Sequence, residues 1–325
     1  MGRFQGSATL GVALAGIVYA GSALAADCPG NPNALGTSRT ITVDPAEFAR
    51  IGDMQYRQAI PLGPKEVVLT FDDGPAPPMT LRVLEILQSE CVKATFFLIG
   101  RNARAFSAIV QQIANDGHTV ANHTQNHPFA TMSPGRGIQE IENGYRSITA
   151  ALESSGRKPA PFFRFPGLKT TPALESYLRG RGISAMSTDF LADDWYRRIT
   201  PEGVLIKAIS RLEARGGSGM LLLHDVKPGT ALILPQLLKE LKERGYSIVH
   251  MVPAEGAAAK IAEASAATAV AAEAPKVKSA KRRLFTSREY RRARIKKRET
   301  ASLAEAKPTG RYWPRTVERD SRETP

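Results

Sequence analysis

Cysteine is scarce in this 325-residue chain: Cys28 and Cys91 are the only two, so at most one disulfide can form and no disulfide framework holds the fold. The two either pair, tying an N-terminal arm to the body, or stay as one exposed and one buried thiol. An oxidising compartment favours the pair. Asp27 precedes Cys28, which does not suit a lipid-attachment box. A convincing membrane span is lacking as well. The apolar stretch at 8–25 (ATLGVALAGIVYAGSALA) is dominated by Gly and Ala, and a spanning helix needs about 20 predominantly apolar residues. It follows Arg3 and ends in Ala23-Leu24-Ala25, which fits a cleavage site before Ala26. The pattern predicts a signal peptide over 1–25 and an exported protein, periplasmic or secreted.

The body also lacks a strong charge of either sign. The chain carries +13, but Lys276 to Arg298 holds twelve Lys/Arg against one acid, Glu289, a net of +11 that leaves about +2 for everything else. The basic balance therefore belongs to the tail. No recognition fold accompanies it, which argues against nucleic acid as a partner. Contact of the tail with an anionic cell envelope, and a solvated tail with no partner, both remain open. Ala254 to Ala274 is alanine-rich and offers little to pack. The expected organisation is an N-terminal arm at 26–64, one domain at 65–253, and an Ala-rich then basic disordered tail at 254–325.

Within the domain, short β-type runs alternate with amphipathic segments. Strands are expected at Val67–Phe71, Ala94–Ile99, Thr119–Asn122, Phe162–Phe165, Ile183–Thr188, Met220–His224 and Ser247–His250. Helical patterns run over Met79–Glu90, Ala103–Asn115, Ile138–Leu152, Pro172–Arg181, Pro201–Ala214 and Leu232–Arg244. Pro172 and Pro201 suit a first helical turn, with Thr171 and Thr200 before them as caps. Seven strands alternating with helices predict a parallel α/β fold, a distorted and incomplete (β/α)7 barrel.

The chemistry sits at strand ends. Asp72 and Asp73 close the first apolar run in Thr70-Phe71-Asp72-Asp73-Gly74-Pro75, and two adjacent carboxylates there are costly unless a positive charge lies between them. His123 and His127, four apart, can supply neutral imidazoles. One Asp with two His is a catalytic ligand set for zinc and other first-row divalent metals, and the second Asp is then a candidate general base. The bland alternative is a turn, since Asp, Gly and Pro all favour one. Histidine is rare, five in all; His118 and His250 read as structural. Arg164 in a strand, Asp193 and Asp194 after one, and His224 at the end of another complete the constellation.

These residues resemble the polysaccharide deacetylase family, the carbohydrate esterases with a NodB-homology domain, over roughly 65–250. The ordered motifs are Thr70–Pro75, His123-Thr124-Gln125-Asn126-His127-Pro128, Phe163-Arg164-Phe165-Pro166-Gly167, Asp194-Trp195, and Leu221-Leu222-Leu223-His224-Asp225. The resemblance implies metal-dependent removal of acetyl groups from amino-sugar polymers such as chitin oligomers, peptidoglycan or an exopolysaccharide. It implies that Asp73, His123 and His127 hold the metal, zinc by default, with Co2+, Mn2+ or Ni2+ also accepted. It makes Asp72 the base, oriented by Arg164, and His224 the acid, tuned by Asp194; the metal charge and Arg164 would both depress the Asp72 pKa. Leu222 would line the acetyl pocket.

Trp195 is either packing or a platform for a sugar ring. Asp194 could instead cap the next segment. Two motifs depart from the family pattern. The third more often reads Arg-Pro-Pro-aromatic-Gly, where this chain has Arg164-Phe165-Pro166-Gly167-Leu168. The fourth usually has two Asp three apart before Trp, so the spacing leaves open which of Asp193 and Asp194 meets His224. An O-acetyl esterase of the same fold, of the xylan type, and a non-catalytic glycan-binding protein are the rival functions.

Overall fold

The computed structural model of the chain describes residues 28–257. The expected signal peptide, and all of the expected tail after Ala257, lie outside the described residues. In chain order the strands are β1 (Thr37–Val43), β2 (Arg50–Ile51), β3 (Glu66–Asp72), β4 (Thr95–Leu98), β5 (Thr119–Asn122), β6 (Phe162–Phe163), β7 (Ser184–Met186), β8 (Phe190–Leu191), β9 (Gly219–His224) and β10 (Ser247–Pro253). The helices are α1 (Met79–Ser89), α2 (Gly100–Ala105), α3 (Ser107–Asn115), α4 (Pro134–Leu152), α5 (Pro172–Gly180), α6 (Pro201–Ala214) and α7 (Pro228–Glu243). None of them is long and apolar enough to cross a membrane.

All ladders are parallel, and pairing runs β8-β9-β3-β4-β5-β6-β7. That is a distorted seven-strand ring in which no ladder joins β7 to β8. Its membership differs from the expectation. β10, expected as the seventh strand, pairs only with Glu66 and Val67 at the start of β3 and then carries β1. The seventh place is taken by β8, two residues long and too short to show as a pattern. Expected strand Ile183–Thr188 is therefore β7 alone, and Asp193 and Asp194 follow β8. The arm, for which no element was expected, contributes β1 and also β2, which pairs with β7.

Strand alternation sorts the core and places the site. On β3, Val67, Leu69 and Phe71 pack outward against the helices, while Val68 belongs to the inner cluster with Phe97, Ala121, Phe162 and Met220. Because successive side chains point to opposite faces, Thr70 and Asp72 share the inner face with Val68. On β9, Leu221 and Leu223 pack outward, which puts Leu222 and His224 inside. Asp72 is the register partner of His224, so adjacent strands present these two residues side by side at the carboxyl end of the ring.

Thr171 accepts from the Leu174 N–H and Thr200 from the Gly203 N–H, each capping a helix with proline in its first turn. The expected helix Ala103–Asn115 is two helices, because Phe106 (φ −129°, ψ 48°) breaks the run. A disulfide joins Cys28 to Cys91, a separation of 63 residues. Closing a loop of that length restricts the unfolded chain by about 4 kcal/mol in the chain-entropy picture.

His118 and His250 are buried at the opposite end of the ring. The Ala94 N–H donates to His118 Nδ1. Thr119 donates its hydroxyl to the Met251 carbonyl, so His250 Nε2–H donates to Thr119 Oγ1. Burial pushes both imidazoles down, His118 to about 3 and His250 to about 4. A histidine held neutral by folding contributes stability that is full above its unfolded pKa of 6.5 and declines as the pH falls toward the folded value. The stability advantage of wild type over His250→Gln is thus expected to shrink by about 1.4 kcal/mol per pH unit below 6.5. Urea denaturation of both proteins at pH 7.5, 6 and 5 checks this, and a pH-independent difference contradicts it.

Candidate active site

Two neighbouring carboxylates meet different partners, though both approach His123 Nε2, Asp72 Oδ2 at 3.8 Å and Asp73 Oδ1 at 3.5 Å. Asp72 ends β3 and points into the ring, where Arg164 Nη1 donates to its Oδ1 at 2.7 Å. Arg164 is wholly buried: Nη1 also donates to Thr70 Oγ1 at 2.9 Å, Nη2 donates to the Ser187 carbonyl at 2.8 Å, and the guanidinium lies 4.0 Å from the Phe97 ring centroid. Asp73 leaves the strand in a left-handed conformation, φ 79°, which turns its side chain away from Asp72 and toward the histidines. A non-glycine residue there is strained, so the turn needs support.

That support comes from Asp225, which carries no role in the sequence reading. The Ala76 N–H donates to Thr80 Oγ1, and Thr80 donates in turn to the buried Asp225 carboxyl at 2.5 Å. Burial raises the Asp225 pKa to about 7. Gly74 lies so close that a Cβ there would fall 2.1 Å from Asp225 Oδ2, so the turn requires glycine at this position.

His127 Nε2 stands 3.1 Å and His123 Nε2 3.5 Å from Asp73 Oδ1. His123 Nδ1–H donates to the Arg164 carbonyl at 2.8 Å, leaving Nε2 unprotonated, and burial lowers this imidazole to about 3. Its lone pair is therefore available to a ligand at neutral pH. Asp73 Oδ1 is itself buried without a hydrogen-bond partner. The ligating atoms of Asp73, His123 and His127 all lie within 4.8 Å of one another. An orphaned carboxylate oxygen facing two free imidazole nitrogens is a donor set that fits a divalent cation.

The loop carrying the histidines, with Thr124 and His127 at positive φ, is tied to α4. Glu140 accepts from both the backbone N–H and the side-chain amide of Asn126, and the Glu140 carbonyl accepts from the Gln125 N–H. Glu140 was not anticipated; an acid within an amphipathic helix carries no readable signal.

His224 Nδ1 donates to Asp194 Oδ1 at 2.7 Å, and the other Asp194 oxygen accepts from the His224 N–H and the Thr230 hydroxyl. The ambiguity between the two acids is thereby resolved in space: Asp194 meets His224, and Asp193 is taken by Lys207 and Arg211. Burial alone would lower the His224 pKa, but Asp194, with Asp72 and Asp73 beyond it, raises it to about 9. For Asp72 the balance goes the other way. Burial raises its carboxyl above the usual range in the metal-free protein, while Arg164 pulls it down as expected.

Asp72, Asp73, His123, His127 and His224 open onto one pocket of about 460 Å³, where Leu222 and Trp195 form part of the wall. The Trp195 ring meets His224 edge-on at 5.7 Å. Arg164 and Asp194 stand behind the pocket and reach it through Asp72 and His224. Gly167 and Leu168, where the third motif departs from its usual form, also line the pocket, both at positive φ. Gln55 of the arm donates to the Leu168 carbonyl at 2.5 Å, and Lys169 donates to the Phe129 carbonyl at 2.8 Å. Those braces were not legible in the sequence, because they join segments far apart in the chain.

Removing Arg164 strands a buried carboxylate. Arg164→Met is expected to cost about 3 to 5 kcal/mol of stability, and the Asp72→Asn/Arg164→Met double variant is expected to recover part of it. A double-mutant cycle by denaturant unfolding, without added metal, measures the coupling; simple additivity would show that the pair is not the linchpin of the inner face.

Comparisons with known proteins bear on the family and the fold. A family profile described as polysaccharide deacetylase matches residues 59–186. The chain is 30% identical over 195 residues to a peptidoglycan-N-acetylglucosamine deacetylase of Bacillus cereus, covering 58% of this chain and 88% of that one. It is 31% identical over 208 residues to a chitooligosaccharide deacetylase of a Bradyrhizobium species, covering 59% and 90%. Among solved structures, a peptidoglycan deacetylase of Bdellovibrio bacteriovorus superposes with a TM-score of 0.59 at 30% identity, over 68% of this chain and 60% of that one.

Proposed function

The chain belongs to the polysaccharide deacetylase family, and on that premise we propose that it is a metal-dependent hydrolase removing N-acetyl groups from an N-acetylglucosamine-containing polysaccharide or oligosaccharide. The observation that supports this reading most is the meeting in one pocket of the Asp73, His123 and His127 donor set with an acid–base pair from two adjacent strands, Asp72 and His224.

Asp73, His123 and His127 would hold the ion, which leaves positions open for substrate and water. A divalent metal held there would supply Lewis acidity toward the acetyl carbonyl and toward water near neutral pH. Zinc suits the three ligands, and cobalt, manganese or nickel accept the same donors. Asp72 takes the proton of the attacking water. Arg164 fixes the carboxylate's position and favours its ionised form against the cost of burial.

An amine leaves an acetyl carbon only once its nitrogen is protonated. His224, raised to about 9 and so protonated at neutral pH, stands ready to donate that proton. Leu222 and Trp195 bound the space for the acetyl group and the sugar ring. Binding alone would not need both Asp72 and His224, which weighs against a purely glycan-binding role. Export rests on the signal-peptide pattern of residues 1–25, and the Cys28–Cys91 disulfide accords with an oxidising compartment. Contact of the basic tail with an anionic envelope remains a proposal drawn from its charge.

Acetate release from N-acetyl chitooligosaccharides tests the reading. Release is expected to vanish with chelator, return with zinc, and be absent in Asp72→Asn. No release by folded, metal-loaded protein from any N-acetylated glycan would contradict it. His224→Ala is expected to lower the rate on the amide by about 100-fold or more; retention of most activity would instead favour ester cleavage. Asp194→Asn removes the charge that outweighs burial at His224. The alkaline limb of kcat/KM is therefore expected to move from near pH 9 to well below it. An unmoved limb would show that Asp194 does not set the acid.

A further inference from the structure

A second concavity, of about 180 Å³, opens at the amino-terminal end of the ring and shares no lining residue with the pocket already described. Three segments meet there: the start of β5 with Gly117, His118 and Thr119, the approach to β6 at 157–160, and the end of β10 from His250 onward. Because β10 stands outside the ring, it can cross to the start of β5. Thr119 Oγ1 fastens it there, accepting from His250 and donating to the Met251 carbonyl.

The chemistry of these walls is one-sided. The Ala94 N–H donates to His118 Nδ1, so the neutral ring carries its proton on Nε2. That N–H has no acceptor among the described residues, although His118 is only 6% exposed. Arg157 and Lys158 line the same space, exposed and in no ion pair among the described residues. A third cation stands beside them: Lys93 donates to the Asp116 carbonyl, and its Nζ lies 3.7 Å from where a Cβ on Gly117 would stand. Acids adjoin the concavity in sequence, Asp116 before Gly117 and Glu255 after Pro253, but neither lines it. Burial, and after it the charge of Lys93, push His118 down to about 3 and His250 to about 4. Both rings thus feel a positive field that no carboxylate of the walls offsets.

We propose that this concavity binds a phosphate-type oxyanion, either the free ion or a phosphate ester on a larger molecule. His118 Nε2–H is the buried donor that fixes the depth of the anion, and Arg157 and Lys158 supply charged donors at the mouth. Guanidinium and ammonium bonds to phosphate are charge-assisted and stronger than neutral ones. Val120, Ala160 and Val252 add apolar wall, which lowers the local dielectric and strengthens such bonds further. A metal cation fits poorly, since the His118 lone pair is already spent on the Ala94 N–H and no carboxylate faces the space.

NMR of the histidine rings in the full chain, titrated with inorganic phosphate at constant ionic strength, tests this. The His118 signals are identified by cross-relaxation with the Phe96 ring, whose centroid lies 5.2 Å away. They are expected to move saturably, with a Kd of about 1 mM. Arg157→Gln/Lys158→Gln, at two exposed positions on which the fold does not depend, is expected to weaken that Kd about tenfold or more. Phosphate drawn to the basic tail or to an active-site metal leaves His118 unmoved, and the same Kd is expected after treatment with chelator. Glycerol 3-phosphate separates the two sources: tighter binding than inorganic phosphate supports an ester as the ligand, weaker binding supports the free ion. His118 signals that stay in place throughout both titrations, or a Kd unchanged in the double variant, would overturn the proposal.

Discussion

The architecture of the site depends on giving two adjacent carboxylates different partners. Asp72 remains on β3 and faces a buried guanidinium, whereas Asp73 departs from the strand at positive φ and faces two imidazoles. Were both to share one setting, their charges would compete for the same cation and neither role would be distinct. Strand periodicity carries Asp72 inward with Thr70 and Val68, and only the left-handed residue that follows frees Asp73 from that alternation. Gly74, packed on Asp225, lets the turn come that close to β9.

Much of the remaining structure holds this division in place. Arg164 reaches Asp72 through its guanidinium and His123 through its own carbonyl, so one buried residue positions both the carboxylate and the imidazole. Asp194 does the corresponding work for His224, accepting from its ring and its backbone, with Thr230 completing the carboxylate's bonds. Several hydrogen bonds fix each of these buried groups, although Arg164 Nε finds no partner among the described residues, and a site assembled from them is organised before substrate arrives.

The residues of the site were largely legible because they stand at strand ends in ordered, spaced motifs, and the structure gathers Asp72, Asp73, His123, His127 and His224 into one pocket. What could not be read has physical reasons. A two-residue strand such as β8 shows no periodicity, so Asp193 and Asp194 were assigned to the wrong strand and could not be told apart. The net direction of the Asp72 pKa depends on burial, which a motif does not report. Gln55, Glu140 and Thr230 act through partners 113, 14 and 36 residues away, contacts that exist only once the chain is folded. The place of β10 outside the ring likewise depends on β1, whose segment gave no signal of its own beforehand.

The division of labour between Asp72 and Asp73 is open to direct observation. Crystals of the protein grown with zinc, measured on both sides of the zinc absorption edge, locate the ion by its anomalous difference density. The account predicts one zinc bonded to Asp73, His123 and His127, with Asp72 still paired to Arg164 and not bonded to the ion. Zinc ligated by Asp72, or no zinc among these residues in protein that releases acetate, would contradict it.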